Sequence, residues 1–190
     1  HLEAARQVIT AKRQALQAAL AEQSAAEARL VAEQGDVERA RLALAEAARL
    51  YDEAAQLAAT ADRQAALAYL RQAADAWYRL GRDKGDNAAL DRSIERWRRV
   101  LEKSGRDRAP LDWAAAQNGL GSALTTLGSR QRGTAPLQEA VAAFDAALEE
   151  TTRARAPLAW ARTQNNLGFA LWTLGERESG TERLQAAVAS

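Results

Sequence analysis

The residue types that carry most enzyme chemistry are almost missing from this chain. It has no cysteine, and its one histidine is His1. A nucleophile–histidine–carboxylate relay needs an internal histidine to move the proton. Structural zinc needs closely spaced Cys and His ligands. Gly119-Leu120-Gly121 lacks the later glycine and preceding strand of a dinucleotide fingerprint, and Gly81 and Gly85 lack the Lys-Ser/Thr of a phosphate loop. Asp and Glu are scattered along helical stretches, as on a solvated face. No catalytic, metal-binding or cofactor-binding residue is assigned, no cofactor is implied, and the chain is expected not to be an enzyme.

What remains is suited to recognition. Trp113 recurs as Trp160 and Asn118 as Asn165, each 47 positions on. Recurrence of Trp113 implies a recurring environment, with packing between stacked units as the expectation. Asparagine is a mediocre residue inside a helix. Asn118 and Asn165 therefore either bond between neighbouring helices or form a polar ladder that holds a peptide backbone. Trp172 has no counterpart, since Thr125 stands in the preceding copy. It is either exposed for a ligand or packed locally.

The elements that must position these residues follow from the same spacing. The run from Arg108 to Ala143 returns from Arg155 to Ser190 with about two-thirds of positions identical. A period of this length marks a supersecondary unit that buries its apolar face only by stacking on its neighbours. In the unit from Arg108, Pro110 fits a first helical turn, and Trp113, Leu120, Leu124 and Leu127 follow at helical spacing. Gly128 reads as the stop of that helix and Thr134 as the cap of the next. Leu137, Ala140, Val141, Phe144, Ala147 and Leu148 form the second stripe. One unit earlier, Leu80-Gly81 and Asn87 take the places of Leu127-Gly128 and Thr134, and Leu90, Ile94, Trp97 and Leu101 supply the stripe. Breaks are expected near 81–86, 105–108, 128–133, 153–156 and 175–180.

Residues 1–62 differ. Leu2, Ile9, Leu16, Gln23 and Leu30 are seven apart, and after a break at Gly35-Asp36 so are Val37, Leu44, Tyr51 and Ala58. The seam carries Ala between them, a pattern of two long amphipathic helices. The pair either caps the repeats as an antiparallel hairpin or dimerises as a coiled coil.

Composition agrees. Alanine is about a quarter of the residues and only three are proline, a helical bias. The formal net charge is +1, so no nucleic-acid partner is expected. No apolar run reaches the roughly 18 residues of a membrane span, and a cytoplasmic location is expected. The chain has no methionine, and Ser190 aligns with Ala143 in mid-pattern. His1 and Leu2 read as a tag or cloning remnant, and the whole as a piece of a longer repeat protein.

The repeats resemble the tetratricopeptide family. Leu120-Gly121 and Leu167-Gly168 match the family's Leu-Gly step, and Ala140, Phe144 and Ala147 match its second-helix spacing. The QNNLG string at Gln164 resembles the kinesin-light-chain-like subgroup, and the long repeat suggests a bacterial type. The departures are a period longer than the family's roughly 34 residues and tryptophans one turn early. The resemblance implies an all-α fold, a right-handed α–α superhelix over 63–190 (units 63–106, 107–153 and 154–190) behind an N-terminal helical hairpin. It implies a scaffold that binds a protein or peptide on the concave first-helix face. Carried onto this chain, the groove positions are Arg71, Asp75, Tyr78 and Arg79, then Asn118, Ser122 and Thr125, then Arg162, Asn165, Phe169 and Trp172. The alternative is a regulatory or sensor arm of a larger signalling protein or enzyme. Self-association through the N-terminal helices or the last repeat is a further expectation.

Overall fold

A computed structural model describes the backbone of residues 2–189 and the side chains of residue 3 and residues 6–178. Among the described residues every regular element is a helix. The order is α1 (Leu2–Ala40), α2 (Leu44–Ala58), α3 (Arg63–Lys84), α4 (Asn87–Ser104), α5 (Pro110–Arg130), α6 (Ala135–Glu150) and α7 (Pro157–Ala189). Contacts divide the chain into two compact units, residues 1–73 and 74–190, with the boundary inside α3. No described helix is long and apolar enough to cross a membrane.

In the first unit α1 packs on α2. The α2 seam lies where its heptads put it, with Leu44, Ala47, Tyr51, Ala54 and Ala58 buried. The α1 seam does not. Ile9, Leu16, Leu30 and Val37 are exposed, and α1 buries Ala28 and Ala32 instead, with Gly35 beside them. Nor does Gly35-Asp36 break the helix. A Cβ on Gly35 would sit 2.9 Å from the Tyr51 ring, so this glycine admits the aromatic rather than a turn. The chain turns after Ala40, at Leu42, whose φ of 62° is a left-handed conformation that costs a side-chain-bearing residue.

The Tyr51 hydroxyl donates to Asp36 Oδ1 at 2.8 Å. Burial, and then that hydrogen bond to a carboxylate, pushes the phenol up to about 12. Because the folded value lies above the unfolded value near 10, the contribution is complete below pH 10 and is lost as pH rises toward 12. Tyr51→Phe is expected to lower stability at pH 7 by about 1 kcal/mol. It should also shrink the difference from the parent between pH 10 and 12, measured by urea titration across that range. A constant difference would place the phenol's ordinary ionisation in the folded state.

In the second unit α5 packs on α4, α6 and α7. Its core joins Leu90 and Ile94 of α4, Leu120, Ala123, Leu124 and Leu127 of α5, Ala140, Ala143 and Phe144 of α6, and Ala170 of α7. Breaks fall at 85–86, 105–109, 131–134 and 151–156. Two expected stops are not stops. α5 runs past Gly128 to Arg130, and a Cβ at this glycine would meet Leu137 Cγ at 2.7 Å. Gly81 stands in the same relation to Leu90, at 2.6 Å. Both glycines are sites of close approach between paired helices. The left-handed residues that end α3 and α4 are Gly85 and Gly105, at φ 74° and 69°. The expected break over 175–180 is also absent, since α7 is one helix to Ala189. The cap of α4 is Asp86, whose carboxylate accepts from Ala89 N at 3.1 Å, and Asn87 is the first helical residue. Thr134 precedes α6 without a side-chain cap bond.

Trp113 and Trp160 are half-buried rather than enclosed. Each lies beneath an arginine seven residues earlier. Arg106 is 4.9 Å from the Trp113 ring centroid and Arg153 is 6.0 Å from that of Trp160. Arg106 also pairs with Glu149 at 2.5 Å and Glu150 at 2.6 Å. With the tryptophan, the arginine seven residues before it recurs as well, so the recurrence accompanies cation–π cover of the ring.

Candidate functional site

The positions carried over from the resemblance separate in the structure. Arg71 belongs to the first unit and is half-buried. Asp75 and Arg79 pair with each other at 2.8 Å across one turn of α3. Tyr78 carries the Arg82 guanidinium 5.4 Å from its ring centroid. On α5, Asn118 is only 8% exposed. Its Oδ1 accepts from Thr163 Oγ1 at 3.2 Å and from Asn166 Nδ2 at 3.1 Å. Of the two readings of this asparagine, the structure has the bond between helices, here α5 and α7. That explains a poor helix former in mid-helix, since a buried amide needs its partners.

Ser122 and Thr125 turn their hydroxyls back onto α5. Ser122 Oγ donates to Asn118 O at 2.9 Å, and Thr125 Oγ1 to Gly121 O at 2.8 Å. Thr126 does the same to Ser122 O at 2.9 Å. Their donors are thus spent locally, and their oxygens retain accepting capacity. Tyr78, Ser122, Thr125 and Phe169 come together around a pocket of about 100 Å³, joined by Thr126, Phe144 and Asn166. An apolar cavity of about 150 Å³ holds a benzene ring, so this space suits a single side chain.

Arg162 borders a second pocket of about 120 Å³, whose walls include Leu111, Ala115, Ala159 and Thr163. Asn118 also borders it, so the Asn118–Asn166 bridge lies between the two hollows of the α5–α7 seam. Asn165, Phe169 and Trp172 are exposed. Phe169 and Trp172 are 51% and 59% exposed, with ring centroids 5.8 Å apart and planes tilted by 39°. Their counterparts on α5 lie on the side that meets α7. Two large aromatics therefore occupy the row that, one unit earlier, packs on the next unit.

Sequence reasoning missed Thr126, Thr163 and Asn166, which complete the seam, and a pair of arginines that couple successive units. Arg130 donates to Gly81 O at 2.9 Å and Arg82 O at 3.1 Å. Arg177, 47 residues on, donates to Ser129 O at 2.7 Å and to Gln131 O. Carbonyls near a helix C-terminus lack intrahelical partners and carry partial negative charge, so each arginine satisfies the end of the preceding unit's first helix. The signal was in the sequence: Arg130 and Arg177 are identical and one period apart. No family model, no curated protein and no solved structure matches this chain.

Proposed function

We propose that this chain is a tetratricopeptide-like scaffold, a right-handed superhelix of helical pairs, that holds an extended peptide of a protein partner along the α5–α7 seam. The observation that carries the reading is the exposed Phe169–Trp172 pair beside a pocket sized for one side chain. Aromatic side chains and arginine dominate binding at protein interfaces, and two exposed aromatics in contact form a patch of the kind that marks interaction surfaces.

Spacing along α7 narrows the ligand. Arg162 and Phe169 are seven residues apart on one face, about 10 Å along the helix axis. One turn of polyproline II, three residues at about 3.1 Å each, spans about the same length and brings side chains three apart to one side. A guanidinium pairs with a carboxylate through two parallel hydrogen bonds. The partner is therefore an extended peptide with an acidic residue over Arg162 and an apolar side chain three positions away, in the pocket under Phe169. Asn118 acts by holding the two helices in register.

The test is affinity capture with the chain, followed by binding of the captured segment to variants. Trp172→Ala and Arg162→Ala should each weaken binding by about 1 kcal/mol or more with helicity unchanged. Arg162→Ala should also flatten the salt dependence. Parental affinity in both variants would remove the seam from consideration.

A further inference from the structure

α1 is far longer than the helix that covers it. It has 39 residues against 15 in α2, about 58 Å against about 22 Å at 1.5 Å per residue. Every residue from 6 to 20 is exposed, and the buried positions of α1, Ala28, Ala32 and Gly35, begin only beyond them. The aliphatic row lies on another side. Leu30 and Val37 follow Ala28 and Gly35 by two residues, about 200° round the helix. Both are exposed, as are Ile9 and Leu16. The row keeps a seven-residue spacing from Ile9 through Leu16, Gln23 and Leu30 to Val37, a length of about 42 Å. A strict seven-residue row stays in contact only with a second helix that coils about it. Three residues after each member stands the second row of such a seam: Lys12, Ala19, Ala26 and Glu33.

The two charges in the second row identify that helix and its direction. Lys12 and Glu33 are three heptads apart and so share one side of α1. In two copies lying parallel and in register, lysine meets lysine and glutamate meets glutamate. In two antiparallel copies each Lys12 comes beside the other's Glu33. We propose that α1 pairs with the α1 of a second copy of this chain, antiparallel, about a two-fold axis beside Ala21. Reversing one helix sets first-row residues against second-row residues. Leu16 lies level with the partner's Ala26, and Gln23 with the partner's Ala19. The stem of Lys12 lies on the partner's Leu30 and that of Glu33 on the partner's Ile9, and the charged ends meet at the edge of the seam. On the other edge Arg13 comes opposite the partner's Glu27, twice by symmetry. There too Leu20, exposed and outside the heptad row, comes opposite the partner's Leu20. Glu22 faces its like across the axis, an exposed repulsion that salt screens. The interface is self-complementary, as a two-fold contact must be. It belongs to the first unit and uses no residue of the peptide seam, so either reading can fail without the other.

Lys12, Leu16, Ala26 and Glu33 are all exposed in the single chain, so replacing them leaves the fold intact. The parent should sediment at twice 20.5 kDa, and a monomer at every concentration would overturn the proposal. The chain has no cysteine. Leu16→Cys combined with Ala26→Cys sets two thiols level across the antiparallel seam, within reach of a disulfide. Along their own helix the same two positions are about 15 Å apart and cannot bridge. In a glutathione redox buffer the double variant should form a covalent dimer and Leu16→Cys alone should not. Bridging by the single variant would mean a parallel pair, and an unbridged double variant would mean no such seam; each overturns the proposal. Charge reversal gives a test free of oxidation. Lys12→Glu should raise the dimer dissociation constant about tenfold, and adding Glu33→Lys should restore it. A single variant that dimerises like the parent, or a double variant as weak as the single, would also overturn the pairing.

Discussion

Phe144→Ala is expected to lower unfolding free energy by about 3–5 kcal/mol, the range for truncating a buried aromatic. The ring is fully buried in the core shared by α4, α5, α6 and α7. It lies against the bare Cα of Gly121, so closely that a methyl there would sit 2.7 Å from it. Glycine cannot grow into the space the ring leaves, and rigid helices on either side collapse only in part. Phe169→Ala is the control, because that ring is half in water and its loss should cost less than about 1 kcal/mol. Urea unfolding of the parent and both variants gives the comparison. Equal midpoint shifts for the two would mean that Phe144 does not occupy the centre of this core.

Gly81→Ala is expected to destabilise by about 1–3 kcal/mol, against the sign of helix propensity. Inside a helix alanine is normally better than glycine by about 1 kcal/mol. Here the added Cβ would lie 2.6 Å from Leu90 Cγ and 2.9 Å from the backbone oxygen of Asp86. A leucine tip can move, but a backbone oxygen that accepts the first bond of α4 cannot. Overpacking of this kind costs more than propensity returns. Gly128→Asn separates the two readings of these glycines. A helix stop tolerates asparagine, whereas a glycine pressed against Leu137 does not. A stable Gly128→Asn protein, measured by thermal melt, would restore the stop reading.

Much of the architecture was legible because it depends on local pattern. The 47-residue recurrence, the 3.6-residue apolar spacing and the abundance of alanine determine that the chain is helical and that from 63 to 156 helices alternate with turns near 85, 107, 132 and 153. The heptads of α2 identify its buried side, because α2 is short and one face of it meets one neighbour.

The remaining features were decided by tertiary contact. Gly35, Gly81 and Gly128 look like helix ends in a linear reading, since glycine is the usual terminator. What they supply is the lack of a Cβ where Tyr51, Leu90 and Leu137 arrive from another helix. The aliphatic stripe of α1 looked like its seam, yet alanines are buried instead, because small side chains let α2 approach. Asn118 stood equally for a ladder or a bridge until Thr163 and Asn166 were seen to donate to it. Sequence by itself determined that helices form, where most of them turn, and that the chain lacks cysteine and any histidine beyond His1. Only the tertiary structure decided which small residues are contacts and which aromatics face water, because both depend on which side chain arrives from another helix, such as Leu90 against Gly81 or Tyr51 against Gly35, and a linear pattern does not show that approach.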